Sequence, residues 1–588
     1  MAKENVIFGI NGPVVTVKNS KDFSMMELVF VGNFKLAGEV ININEKFTTI
    51  QVYEETTGLR PGEPVVGTNS TMSVTLGPGI MSNIFDGIQR PLFDIEKQSN
   101  DSFIDKAADV SVLSLERVFD VNVIISKGEE LLPGQIYATC KETEVIIHKC
   151  LVPPNISGKV VKVSKSGKYK VNDTIAVIKN ENSNIFNLTL CHKWPIRIPR
   201  PVAKRLGANI PLITGQRTLD TLFPIAKGGA AAVPGGFGAG KTMTQHQLAK
   251  WCDADIIVYV GCGERGNEMS QVLSEFSELI DPKSGRPMTD RTILIANTSN
   301  MPVAAREASI YTGITLAEYY RDMGYDVAMM ADSTSRWAEA LREISGRLEE
   351  MPAEEGFPAY LPSRISEFYE RASRSKTLCG LEGSITVIGA VSPQGADFSE
   401  PVTQNTKRFV RCFWALDKSL AYARHYPAVN WMTSYSEYFN DLDSWFTKNL
   451  GYEFIDYRKK INEILHEEDK LMEIVKLVGA DVLPDNQKLV IEIAKVIRVG
   501  FLQQNAFHKE DTFVNLEKQK QMMRVILYLN QKAKHLISSS IPISSLIKLG
   551  LFEKLTKMKY DIPNNKLEMF NDYIKEIDEK FETIFKKV

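Results

Sequence analysis

The pattern of hydrophobic and polar residues divides the chain into four stretches, of which the first two predict β structure. Over the first 70 or so residues, short β-branched runs such as 12–17 and 49–53 are separated by glycine and proline turns. Residues from about 116 to 195 repeat this pattern, with turns at 153–155 and 164–167. We therefore predict a small N-terminal β-barrel and a separate β-rich insert.

From about residue 196 to residue 440, short apolar runs alternate with helical stretches, which is typical of an α/β domain. Strands are predicted at five apolar runs: 229–233, 256–260, 292–296, 327–331 and 384–391. A helix is predicted over 302–323, because Ser299 and Asn300 offer a start signal and Gly324 a stop signal.

Beyond about residue 440 the strand patterns stop. Apolar residues recur at helical spacing over 471–478 and 489–497, and the runs end at Gly479 and Gly500. This stretch predicts a helical bundle. The expected fold class is multidomain α/β, with these boundaries: a β-barrel over 1–70, a connecting segment over 71–115, a β-rich insert over 116–195, an α/β domain over 196–440 and a helical domain over 441–588.

Composition excludes several classes of protein. Hydrophobic residues at 44% and charged residues at 24% are the values of a globular chain. A net charge of -2 argues against nucleic-acid binding, which relies on a basic surface. Seven cysteines without CxxC spacing indicate reduced thiols. Because the sequence has neither an apolar signal core nor a run of about 18 apolar residues, we expect a soluble chain that reaches a membrane only through partner subunits.

A phosphate-binding loop is the strongest chemical signal, because the spacing G-x4-G-K-S/T is complete in Gly235-Gly236-Phe237-Gly238-Ala239-Gly240-Lys241-Thr242. Its glycines allow successive backbone N–H groups to wrap phosphate oxygens at a helix N-terminus. Lys241 would reach the β- and γ-phosphates, and the Thr242 hydroxyl would bind Mg2+. A glycine-rich turn with an exposed lysine is the alternative, but the apolar run before the loop and the helical stretch after it favour a nucleotide site.

Five further residues are candidates for the chemistry. Glu264 and Arg265 follow the second predicted strand, where a carboxylate could orient an attacking water and a guanidinium could bind phosphate. A surface ion pair between them explains the local sequence equally well. Asp332 follows the fourth predicted strand as a Walker B acid would, although many strands end in aspartate as a turn residue. Tyr426 and Phe507 could stack on an adenine, but a lone aromatic is more commonly a core residue.

Several segments together resemble the catalytic A subunit of V-type (A/V-type) rotary ATPases. These segments are 234–242, 261–268, 297–309, 330–343 and 399–406, with 51–58 and 84–92 before them. The resemblance weakens over about the last 50 residues. It implies a RecA-like P-loop nucleotide-binding domain between the insert and the helical domain, and the insert separates this family from the catalytic β subunit of F-type synthases. Ala239 stands where eukaryotic relatives have cysteine, which favours a prokaryotic-type enzyme.

The resemblance also implies ligands and roles. The implied ligands are ATP or ADP and Mg2+, and the implied reaction is ATP hydrolysis or synthesis coupled to proton or sodium transport. The implied roles are phosphate and Mg2+ binding for Lys241 and Thr242, positioning of the hydrolytic water for Glu264, phosphate contact for Arg265, the Walker B function for Asp332, and adenine contact for Tyr426 and Phe507.

Partners follow from the same resemblance. A B-type subunit would alternate with this chain in a hexamer and supply an arginine finger. A central shaft and peripheral stalks would complete the assembly on the cytoplasmic side of the cell membrane. Three alternatives remain: a regulatory nucleotide-binding subunit, an F-type β-like subunit and a Rho-type nucleic-acid translocase. An intact Lys241, Glu264 and Asp332 disfavour the first, the insert disfavours the second, and the near-neutral charge disfavours the third.

Overall fold

The computed structural model describes residues 5–18, 22–98 and 110–585. The chain divides into two compact units. The first unit comprises Met1–Leu206, Lys227–Ala230 and Ala254–Val410, and the second comprises Gly207–Ala226, Ala231–Asp253 and Arg411–Val588.

The predicted N-terminal barrel is present in the first unit. Its strands within the described residues are β1 (Ile7–Asn11), β2 (Val14–Lys18), β3 (Glu27–Val31), β4 (Leu36–Ile43), β5 (Phe47–Val52) and β6 (Val65–Thr71). They pair antiparallel in the order β1-β2-β5-β4-β3-β6. A bridge between Val6 and Pro64 connects the two ends of this sheet, so the sheet closes on itself. Alternate apolar side chains such as Val15, Val29 and Val31 fill the interior.

The β-rich insert is also confirmed, and it consists of antiparallel sheets. Its strands are β9 (Phe119–Val123), β10 (Glu130–Leu131), β11 (Ile136–Lys141), β12 (Ile147–Leu151), β13 (Gly158–Val163), β14 (Gly167–Tyr169), β15 (Ala176–Lys179) and β16 (Ile185–Leu188). One sheet has the order β12-β11-β9-β14 and the other the order β10-β13-β15-β16. The insert is flanked by an antiparallel pair, β7 (Ser73–Leu76) with β17 (His192–Pro195).

The α/β part of the first unit is built on parallel strands. Their order is β8 (Ile84–Phe85), β21 (Thr292–Thr298), β20 (Ile256–Glu264), β22 (Asp326–Asp332) and β24 (Glu382–Val391). The antiparallel strand β23 (Ser373–Lys376) follows β24, and β18 (Lys204–Leu206) pairs with β23. The helices are α1 (Leu92–Gln98), α3 (Gly266–Glu278), α4 (Val303–Asp322), α5 (Thr334–Arg347), α6 (Leu361–Tyr369) and α7 (Pro401–Phe409).

Each predicted strand of this part lies within an observed one. The largest difference is in β20, which continues beyond the apolar run as far as Glu264 because small residues extend it. The two-residue strand β8 lies in the segment that the sequence marked as a connection. Two residues are too short for a periodic pattern, so only its pairing with β21 reveals it.

The second unit contains the phosphate-loop segment and the helical carboxy-terminal part. Its strands are β19 (Ala230–Pro234), β25 (Cys412–Phe413) and β26 (Tyr435–Ser436). Its helices are α2 (Lys241–Trp251), α8 (Lys418–Tyr422), α9 (Phe439–Leu450), α10 (Tyr452–Val478), α11 (Asp485–Val496), α12 (Leu516–Ser538), α13 (Ile543–Ile547), α14 (Leu551–Asp561) and α15 (Phe570–Phe585). Among helices in the described ranges, none is both long and apolar enough to cross a membrane.

Candidate nucleotide site

The phosphate-loop segment connects β19 to α2 in the second unit. Gly238 and Gly240 have φ angles of 78° and 88°, a left-handed conformation that a side chain would strain. The Lys241 ammonium donates hydrogen bonds to the carbonyl oxygens of Gly235, at 2.8 Å, and Gly236, at 3.2 Å. The lysine therefore folds back over the loop, where its charge faces the concave side that phosphate would occupy.

A cavity of about 590 Å³ opens beside this loop, within the second unit. Gly238, Gly240, Tyr426 and Phe507 all line it. Its size is within the range of about 300–1,000 Å³ that small-molecule pockets have. Tyr426 is 45% exposed and Phe507 is 90% exposed, so the interpretation of these aromatics as core residues is wrong. Two rings that face an open cavity are available to a flat ligand.

The acidic candidates lie in the first unit, at the carboxyl ends of neighbouring parallel strands. Glu264 is the last residue of β20, and Asp332 is the last residue of β22. These strands pair with Gly261 opposite Asp332. Asp332 is only 1% exposed, and its Oδ2 accepts a hydrogen bond of 3.1 Å from the Tyr259 hydroxyl. The carboxyl ends of a parallel sheet are where α/β folds bind ligands.

The pKa of Glu264 is raised to about 8, mainly by burial and also by the charge of Asp332 and a hydrogen bond with Glu268. Arg336 acts in the opposite direction and lowers the pKa of Glu264. A carboxyl group that is mostly buried and faces a second acid differs from the exposed ion pair considered from the sequence. Strongly perturbed pKa values of this kind cluster at functional sites.

Arg265 occupies a different environment from Glu264. Its side chain is exposed, and the residue is the N-cap of α3. The structure thus brings Glu264 and Asp332 together at one sheet edge of the first unit, while Arg265 lies on the surface beside them. Separately, it brings the phosphate loop, Tyr426 and Phe507 together around one cavity of the second unit.

Sequence reasoning missed three residues at these places. Tyr259 contacts Asp332 but is a buried strand residue in sequence, so no local signal distinguishes it. Arg336 interacts with Glu264 from α5, and its position four residues after Asp332 was an available signal. Tyr560 lines the cavity from α14, in the stretch where no motif was recognised.

Comparison with known proteins identifies the family. Residues 215–436 match the ATP synthase alpha/beta family, nucleotide-binding domain. Residues 7–69 match the beta-barrel domain of that family, 110–197 its barrel-sandwich domain, and 443–547 the C-terminal domain of V and A type ATP synthase. The V-type ATP synthase alpha chain of Halothermothrix orenii is 59% identical over 586 residues, which cover 100% of this chain and 99% of that relative. The chain belongs to the A-subunit (alpha-chain) family of V-type and A-type ATP synthases.

Other relatives agree with this family. The A subunit of the A-type ATP synthase of Methanopyrus kandleri is 54% identical over 584 residues, covering 99% of this chain and 98% of the relative. A solved structure of the assembled ATPase EscN from the enteropathogenic E. coli type III secretion system has a TM-score of 0.63 at 20% identity. It covers 89% of this chain and 100% of that one, and at this identity it supports the fold alone.

Family membership confirms the predicted order of barrel, insert, RecA-like nucleotide-binding domain and helical domain. It also confirms the predicted class of enzyme, a catalytic nucleotide-binding subunit that hydrolyses or synthesises ATP within a multi-subunit assembly. The F-type and Rho-type alternatives are not favoured, because the relatives and the C-terminal match are of the V and A type.

Proposed function

We propose that the cavity of the second unit binds ATP or ADP, with the base between Tyr426 and Phe507 and the phosphates on the loop. The observation that carries this proposal is that loop glycines and two exposed aromatic rings line the same cavity. Lys241 would exchange the carbonyl oxygens of Gly235 and Gly236 for phosphate oxygens. Hydrogen bonds from the ammonium to charged phosphate oxygens are stronger than those to neutral carbonyl oxygens. Arg265, exposed at the start of α3, would contact phosphate.

The oxygen donors in the chain fit Mg2+, which prefers carboxylate, hydroxyl and water ligands. Thr242, in the first turn of α2, would provide its hydroxyl, and Asp332 would hold the ion through water. Asp332 suits a cation because its carboxylate is buried and its negative charge already perturbs Glu264. When bound, the ion would neutralise charge on the phosphates.

Glu264 would orient and polarise the water that attacks the γ-phosphate. A carboxyl group with a pKa near 8 keeps its proton at neutral pH, so a nearby positive charge is needed to make it an effective acceptor. Arg336 already lowers this pKa, so the additional charge must come from another group. We also propose that an arginine from a B-type subunit would provide further positive charge and would stabilise the transition state.

We further propose that the chain alternates with B-type subunits in a hexamer that acts on a central shaft and is held by peripheral stalks. This assembly would lie on the cytoplasmic side of the cell membrane and couple ATP hydrolysis or synthesis to proton or sodium transport. The support is the family of the chain and its match to the V and A type C-terminal domain.

The test is a comparison of steady-state ATP hydrolysis by the purified chain with hydrolysis by the chain assembled with its B-type subunit. We expect turnover near background for the chain alone and an increase of about 10³-fold or more on assembly, because an arginine finger contributes on this scale. A B-type subunit whose finger arginine is replaced by alanine is the matched control and should leave turnover near background. Brisk turnover by the isolated chain would show that its site is complete.

A further inference from the structure

The last part of the chain forms one wall of the nucleotide cavity. Tyr560, near the end of α14, lines the cavity together with Tyr426 and Phe507. The Tyr560 ring lies 4.6 Å from the His508 ring, centroid to centroid, immediately after the cavity-lining residues 503–507. Residues beyond 547 lie outside the matched C-terminal domain, and the sequence showed no motif there.

Lys559, the residue before Tyr560, contacts the backbone that leads into the cavity-lining residues 503–507. Its side chain is buried, at 2% exposure. Its ammonium donates hydrogen bonds of 2.7 Å to the carbonyl oxygen of Val499 and 2.9 Å to that of Gln503. One ammonium group therefore holds two carbonyl groups that are four residues apart, those of Val499 and Gln503. These contacts fix the backbone at the point where residues 503–507 begin.

Asn564, just past α14, holds the other end of the same loop. Its backbone N–H donates to the Glu510 carboxylate at 3.0 Å, and its side-chain amide donates to the Phe513 carbonyl oxygen at 3.0 Å. The loop between residues 503 and 513 is therefore clamped at both ends by residues 559–564. Phe507 is 90% exposed, and its backbone N–H donates a hydrogen bond of 2.9 Å to Asn505 Oδ1 within this loop, so the position of Phe507 depends on the loop that the clamp holds.

We propose that Lys559 and Tyr560 position the base-binding side of the nucleotide cavity, Lys559 by fixing the loop that carries Phe507 and Tyr560 by closing the wall behind it. The inference rests on the proposed binding of ATP in this cavity. It assigns a specificity function to the carboxy-terminal segment, which would affect binding of the adenine ring and would not contact the phosphates. The phosphate side is built from a different element, the loop before α2.

This separation defines the experiment. The full-length chain and the variants Lys559→Met and Tyr560→Leu are titrated with ATP and, separately, with inorganic tripolyphosphate, which lacks the base. Lys557→Met is the matched control, because Lys557 lies on the same helix with its side chain 61% exposed, and its ammonium pairs with Glu553 one turn earlier. The assembled enzyme with each variant is assayed for KM and kcat.

We expect each variant to weaken ATP binding about tenfold, the scale on which one base contact contributes, and to leave tripolyphosphate binding within about twofold of wild type. In the assembled enzyme KM for ATP should rise while kcat stays unchanged, and Lys557→Met should change neither. If Lys559→Met does not fold, Tyr560→Leu decides the question, because Tyr560 is only partly buried.

Equal weakening of ATP and tripolyphosphate would overturn the inference, since it would indicate a general structural role. Unchanged ATP affinity in a folded Tyr560→Leu variant would also overturn it, while the proposed ATP site would stand if Lys241→Ala weakened ATP binding at least about tenfold. A wild-type chain that binds tripolyphosphate but shows no preference for ATP would overturn both proposals.

Discussion

Replacing Glu264 by glutamine is expected to lower ATP turnover of the assembled enzyme by about 10²–10⁴-fold, the usual contribution of a positioned general base. The amide keeps the size of the side chain but cannot accept a proton from the attacking water. ATP affinity should stay close to wild type, because Glu264, at the end of β20, is proposed to orient the attacking water and to contact neither the base nor the phosphates.

The measurement is steady-state hydrolysis together with equilibrium binding of ATP to the same preparation. Glu278→Gln is the matched control, because it makes the same carboxyl-to-amide replacement at an exposed position of α3, the helix that follows β20. We expect the control to retain wild-type turnover. Turnover of Glu264→Gln within a few-fold of wild type would show that another group positions the water.

The second large effect is expected from Asp511→Asn, which should destabilise the second unit by about 3–5 kcal/mol, as the loss of one partner from a buried ion pair does. Asp511 and Arg217 are both 0% exposed and lie 2.5 Å apart, from Asp511 Oδ1 to Arg217 Nη1. Asp511 Oδ2 also accepts a hydrogen bond of 2.6 Å from the Asn505 backbone N–H. The carboxylate therefore neutralises the buried Arg217 and also holds the backbone of the loop that lines the cavity.

Two buried lysines increase the expected effect of replacing Asp511. The pKa of Lys518 and that of Lys559 are both lowered to about 8, mainly by burial and also by the charge of Arg217, while the charge of Asp511 acts in the opposite direction. Without Asp511, three cations would share a buried region with their main counter-charge removed. Thermal denaturation should show the transition of this unit roughly 10 °C lower.

Asp572→Asn is the control for this variant, because Asp572 has a side chain 74% exposed on α15. It should leave the transition temperature unchanged. A transition of Asp511→Asn at the wild-type temperature would show that the buried cations find compensation elsewhere.

The parts of the fold that the sequence predicted correctly are those with a local cause. Apolar runs of five or more residues predicted β20, β21, β22 and β24. Gly479 predicted the end of α10, because its φ of 85° allows the chain to turn there. The phosphate loop was recognisable because its chemistry requires fixed spacing within eight residues.

The remaining parts depend on contacts between distant residues. Arg217 and Asp511 are separated by 294 positions, so no window of sequence contains both. Glu264 became distinguishable from a surface residue only once folding buried it beside Asp332, because burial and the charge of Asp332 raise its pKa. Phe507 could not be separated from a core aromatic, because its exposure depends on a loop whose ends are held by Lys559 and Asn564 from more than 50 positions away.

Equilibrium binding of ATP to the purified chain in the presence of Mg2+ tests the central claim most directly. We predict saturable binding by the wild-type chain and at least about tenfold weaker binding by Lys241→Ala, since a charge-assisted contact to phosphate contributes on that scale. Lys459→Ala, at an exposed position of α10, should bind as the wild type does. Equal ATP affinity of Lys241→Ala and the wild-type chain would contradict the assignment of the nucleotide to this loop.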